Sequence, residues 1–148
     1  MARRAIDPER FLARVPLFEA LDAAALARLA AATTRRTVKR GETVFRKGDA
    51  ATGMYVVVYG EIKLVADTPA RGRRLTGIVE PGQSFGEPVM FLERPALVDA
   101  QAASDALLLH LPKAAIFDEI ERSPGFARRI VAGLSLRVER LVRELELQ

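Results

Sequence analysis

Between two runs that alternate like β-strands, the sequence places Phe85-Gly86-Glu87 and, seven residues after the glutamate, Arg94, followed by Pro95-Ala96-Leu97-Val98. The stretch offers a bare main chain, one carboxylate and one guanidinium. Glycine lets a backbone approach another group closely. A carboxylate is a good acceptor for a hydroxyl, and a guanidinium makes charge-assisted, often bidentate hydrogen bonds to an anion. Whether these groups share a site depends on the chain between them. Extended, Pro88 to Glu93 would hold Glu87 and Arg94 about 23 Å apart. Coiled into a helical turn or two, the same steps span roughly 10 Å, and Pro88 is well suited to start such a turn. The same residues also fit a plain surface loop, with Glu87 capping the turn at Pro88 and Arg94 solvated or paired with Glu87.

Other chemistries find little support. His110 is the only histidine. It alternates with Leu109 and Leu111, which turns it away from their face and predicts an outward polar strand position rather than a haem or metal ligand. Metal-dependent β-roll enzymes need several ligands, commonly histidines, inside the roll. With no cysteine, disulfides, thiolate metal sites and thiol catalysis are excluded together. Ser84, Ser104, Ser123 and Ser135 all lie outside any nucleophile-elbow context. No catalysis is expected.

The elements that must position Glu87 and Arg94 are legible from period and punctuation. Asp7-Pro8 reads as an N-cap and first helical residue, opening a short helix through Arg14. A second helix, capped by Asp22, carries Leu26 and Leu29 on one face. From Arg35 the period becomes two. Val38, Val44-Phe45, Met54 to Tyr59, Ile62 to Val65, Leu75 to Val79, Leu97 to Ala102 and Leu107 to Leu111 form short β-rich runs punctuated by glycines. Such spacing predicts a sandwich or barrel, and Gly60 occupies the place where a tight hairpin needs a positive φ. After Pro112 the period is helical again, with Ile116, Phe117 and Ile120 on one face. Ser123-Pro124 then caps and starts a long helix to the end of the chain.

That last helix carries Val131, Leu134, Val138, Leu141 and Leu145 at alternating spacings of three and four. Apart from the final position, β-branched residues occupy a and leucine occupies d, the pattern of a parallel two-stranded coil. The rest of the helix is densely charged, so a narrow stripe suits a partner helix better than a broad core face. A homodimer is expected, with a division at residue 122: residues 1–122 form the helices and β-roll, and 123–148 the dimerisation helix.

At 148 residues and 49% hydrophobic, the chain suits one domain with a real core. The net charge is +4, and its densest clusters are Arg3-Arg4, Arg35-Arg36 and Arg71-Arg73-Arg74. These form no concentrated stripe in an aromatic or helix-turn-helix setting, so direct DNA binding by this chain is not expected. No run approaches the roughly 20 apolar residues of a membrane span. The basic start "MARRAIDPER" lacks the apolar region of a secretory signal, so a cytoplasmic location without membrane association is expected.

From about Phe11 to Gln148, the order of elements resembles the cyclic nucleotide-binding domain. The carriers are "KRGETVFRKGDAATGMYVVVYGEIKLV", then Phe85-Gly86-Glu87, then Arg94-Pro95-Ala96-Leu97-Val98. More narrowly, the chain resembles the sensor domain of the CRP/FNR family of bacterial transcription regulators. The resemblance implies a double-stranded β-helix, or jelly roll, with N-terminal helices and a long C-terminal dimerisation helix. It also implies a ligand cassette at Phe85, Gly86, Glu87, Pro88, Arg94, Pro95 and Ala96. There the backbone near Gly86 approaches the sugar, Glu87 accepts from a ribose 2′-hydroxyl, and Arg94 pairs with the cyclic phosphate of cyclic AMP or cyclic GMP.

Two departures matter. Pro95 stands where nucleotide binders usually carry serine or threonine, and it has neither hydroxyl nor N–H. The segment from Glu87 to Arg94 is shorter than in the cyclic AMP receptors. "MFLERPALVDAQA" looks more like the branch responding to nitrogen oxides or redox signals, where haem or other effectors replace the nucleotide. A dimerisation module with a decayed pocket is a further alternative. The family's regulators bind DNA through a winged helix-turn-helix after the long helix. This sequence ends near where it would begin, which fits a truncated chain and a stand-alone sensor equally.

Overall fold

A computed structural model describes residues 6–147; the Arg3-Arg4 cluster lies outside the described residues. Helix α1 spans Pro8–Ala13, and the Asp7 carboxylate accepts from the Glu9 amide at 3.0 Å. A 3-10 turn at Pro16–Phe18 leads to α2, Ala23–Ala32, where Asp22 accepts from the Ala25 amide at 2.8 Å. Both caps stand where aspartate was expected to satisfy a free helical amide.

Among the described residues eight strands follow: β1 Thr34–Val38, β2 Thr43–Phe45, β3 Gly53–Tyr59, β4 Ile62–Thr68, β5 Gly72–Val79, β6 Ser84–Phe85, β7 Asp99–Ala102 and β8 Ala106–Pro112. They pair antiparallel in two four-stranded sheets, ordered β1-β8-β3-β6 and β2-β7-β4-β5. Helix α3, Glu87–Leu92, interrupts the strands between β6 and β7, and α4, Lys113–Arg122, and α5, Pro124–Glu146, close the chain. The architecture is the expected jelly roll with flanking helices.

Gly60 corrects one expectation. Its φ is +84°, but β3 and β4 do not form a hairpin: they lie in different sheets. The glycine makes a crossover at the roll's edge, where an added Cβ would stand 2.3 Å from the Asp105 carbonyl oxygen. Sequence period reported the sharp turn but not the change of sheet.

The core has two parts. Between the sheets lie Val38, Tyr55, Val57, Ile62, Phe85 and Leu108 with their neighbours. Outside the first sheet, Met54, Val56, Leu109 and Leu111 pack on Leu12, Phe18, Leu29, Ile116 and Phe126 of the flanking segments. β3 and β8 are therefore apolar on both faces, as strands covered on both sides must be. Arg28 of α2 grips the buried Glu119 of α4 through two bonds, Nε–Oε1 at 2.6 Å and Nη2–Oε2 at 3.1 Å.

Only the start of α5 joins this core. The Ser123 hydroxyl caps it at the Phe126 amide (3.2 Å), and Phe126 and Ile130 are buried. Leu134 still packs against the core. Val131, Val138, Leu141 and Leu145 are each more than half exposed. The stripe thus leaves its own roll almost entirely free.

Candidate functional site

β6 carries Phe85 into the roll, where it stacks on Tyr55 with ring centroids 5.0 Å apart, and Phe45 completes the aromatic group. Gly86 then turns the chain at φ +90°, a left-handed conformation, and precedes α3 as its N-cap without a side-chain bond. Only glycine takes that φ at low cost. Pro88 lies in the first helical turn, as its fixed φ favours, and Glu93 ends the helix at φ +55°. Beyond it, the loop is pinned by the Ala96 amide on the Asp49 carbonyl and the Gly48 amide on the Ala96 carbonyl, both at 2.8 Å.

The chain therefore coils between Glu87 and Arg94, as a shared site would require. The two side chains nevertheless part. Glu87 is buried toward α5, its Oε2 accepting from the Ser84 hydroxyl at 2.5 Å and facing an Arg137 Nη2 of α5 at 3.6 Å. Among the described residues, its Oε1 is buried without a hydrogen-bond partner. Arg94 is exposed, and among the described residues no hydrogen bond or ion pair holds its guanidinium. Pro88 and Pro95 are exposed and Ala96 is buried.

Helix α3 divides the cassette between two hollows. One, of about 30 Å³, opens at the roll's mouth and is lined by Phe45, Thr52, Gly53, Tyr55, Gly86 and Ala96, among others. The other, of about 330 Å³, lies between the 3-10 turn, α3 and α5, and Glu87 faces it with Ser84 and Arg137. Ser84 and Arg137 were not anticipated as members of the site. The Ser84-x-x-Glu87 spacing was no signal for the first, since a capping box joins side chains to backbone at a helix start and the N-cap here is Gly86. No sequence signal places α5 over α3.

His110 corrects a second expectation. It does point away from Leu109 and Leu111, but their face is the helix-covered one. His110 therefore turns to the roll's mouth, half-buried, with Nε2 3.0 Å from the Thr52 hydroxyl and its ring 4.9 Å from Tyr55. Burial, and then the Arg36 charge, lower its pKa below the ordinary 6.5. The folded chain thus binds fewer protons here than the unfolded chain, so this group makes stability rise with pH. The contribution is expected in full above 6.5 and lost as pH falls from 6.5 through the lower folded value. Denaturant melts across that window should show the loss, and His110→Gln should flatten it.

Across the roll, the Lys47 amide at 2.7 Å and then Arg73 at 3.1 Å hold the Asp99 carboxyl below the usual carboxylate range. One guanidinium of the Arg71-Arg73-Arg74 cluster is thereby committed to the sheet.

The profile of a family described as the cyclic nucleotide-binding domain matches residues 35–123. A candidate potassium channel protein of Rhodopseudomonas palustris is 37% identical over 121 residues, which cover 80% of this chain and 28% of that protein. The cyclic AMP receptor protein of Thermus thermophilus is 29% identical over 113 residues, 76% of this chain and 52% of that protein. Among solved structures, the sensor domain of the transcriptional regulator DNR from Pseudomonas aeruginosa aligns with a TM-score of 0.81 at 26% identity. It covers 92% of this chain and 91% of that domain. The chain spans about a quarter and about half of the two curated relatives named.

Proposed function

The chain belongs to the cyclic nucleotide-binding domain family, and from that premise we propose that it is the effector-sensing and dimerising part of a CRP/FNR-type regulator. Its structural neighbours include CRP/FNR-family sensor domains. A small effector, with cyclic AMP and cyclic GMP as the first candidates and haem after them, binds at the α3 end of the roll. Residues 1–122 sense it, and residues 123–148 pair with a second copy. DNA is contacted by a further domain and not by this one. No catalysis is assigned. Among the described residues no helix is long and apolar enough to cross a membrane.

The observation that carries this proposal is the Glu87–Arg137 contact at 3.6 Å. It joins the first residue of α3 to the helix bearing the apolar stripe, and Arg137 directly precedes Val138 of that stripe. An effector hydroxyl that draws Glu87 toward the roll takes it from Arg137 and alters the α5 surface. Arg94, exposed and held by no partner among the described residues, is able to swing onto an anionic group. Differential contacts of this kind are what an effector needs to bias two states.

Calorimetric titration with cyclic AMP, cyclic GMP and haem tests the effector. A cyclic nucleotide is expected to bind, and Arg94→Ala to weaken it at least a hundredfold. An exposed loop change of this kind alters stability by about 0.5 kcal/mol at most, so the melting curve should not move. Equal affinity in the variant would remove Arg94 from the site. Haem binding with neither nucleotide would favour the non-nucleotide branch.

A further inference from the structure

We infer that the cavity under α5 is a second ligand site, on the other side of α3 from the roll's mouth and sharing Glu87 with it, and that it takes a small, neutral, mostly apolar molecule bearing one hydroxyl or N–H donor. Its volume, about 330 Å³, is at the lower end for small-molecule sites. Leu17, Phe91, Ile130 and Leu134 supply much of the wall.

The donor follows from Glu87, a carboxylate more than nine-tenths buried that lines this cavity. Ser84 and Arg137 both address Oε2, which leaves buried Oε1 without a partner among the described residues. Buried acceptors in native proteins nearly always find a donor, from protein, water or ligand. A hydroxyl or N–H from an occupant would supply it.

Neutrality follows from the two cationic side chains of the lining, which already have acidic partners. Arg129 pairs with Glu19 at 3.3 Å and Arg137 with Glu87 at 3.6 Å. An anion would find no uncommitted cation among the cavity residues and would meet the bare Oε1.

Gly133 completes the case. In the middle of α5, where glycine disfavours a helix, it lines the cavity, and a Cβ added there would meet nothing within 4 Å. A side chain at this position would fill the space. Its absence keeps the wall open.

The proposal rests on the sensor reading only in that occupancy should register in α5. Phenol and fluorobenzene, alike in shape but differing in the donor, serve as probes of the full chain, followed by backbone amide NMR. Phenol is expected to shift the Leu17, Glu87, Gly133 and Leu134 amides saturably, at least fivefold tighter than fluorobenzene. Gly133→Leu, which improves helix propensity, should stay folded and lose these shifts. Absence of saturable shifts, equal affinities, or shifts persisting in the variant would each overturn the proposal. A chain that dimerises and answers to a cyclic nucleotide but ignores phenol would retire the second site and leave the sensor function standing. Phenol binding in a chain that never dimerises would do the reverse.

Discussion

Val138→Asp is expected to leave the domain folded while turning a dimer into a monomer. In the single chain Val138 is 59% exposed, so an aspartate there is solvated and costs the monomer little. Against a second α5 it would be buried opposite its twin, because a twofold interface is self-complementary. An unpaired buried charge costs several kcal/mol. At 1.4 kcal/mol per tenfold, that weakens association at least a hundredfold. Sedimentation with circular dichroism reads both outcomes. A folded monomer supports pairing through the stripe, whereas a folded, undissociated dimer places the contact elsewhere. Unfolding would contradict the exposure of Val138.

Gly60→Ala should cost the fold much of its stability through a single methyl group. At φ +84° a Cβ is strained, by about 1–2 kcal/mol for an L-residue. The added atom would also fall 2.3 Å from the Asp105 oxygen and 2.6 Å from the Ala106 Cβ, and overpacking of this kind costs a further 1–3 kcal/mol or so. A total of about 3 kcal/mol corresponds to a fall in Tm of roughly 10 °C for a domain of this size. Gly41→Ala is the control: its φ is +88°, but an added Cβ meets nothing within 4 Å, so only the strain should appear. Equal losses in the two variants would show that crowding at the crossover is unimportant.

Much of this fold could be read from local chemistry. Asp7, Asp22 and Ser123 each cap the helix that their sequence context promised, because capping acts within three residues. The stripe on α5 was legible for the same reason: its period is a property of one helix. What escaped was long-range. Gly60 announced a positive φ, yet whether the next strand pairs back or crosses to another sheet depends on partners dozens of residues away. His110 showed its parity, but parity cannot say which face of β8 is roll and which is helix-packed, since both are apolar. The site divides along the same line. The coil from Pro88 to Leu92 was foreseeable from proline and spacing. That Glu87 turns toward Arg137, fifty residues later, and away from Arg94 was not, because nothing local to either residue records the packing of α5 on α3.

The link from effector to α5 can be measured in one experiment. The sequence has no cysteine, so Arg140→Cys, on the exposed part of α5, accepts a single spin label per chain. Distances between the two labels of a dimer are then recorded by pulsed electron resonance, without ligand and saturated with whichever cyclic nucleotide binds by calorimetry. The predicted result is an intersubunit distance that shifts on saturation, as Arg137 loses Glu87 and the paired helices repack. A distance distribution unchanged by bound nucleotide, or no intersubunit coupling at all, would contradict it.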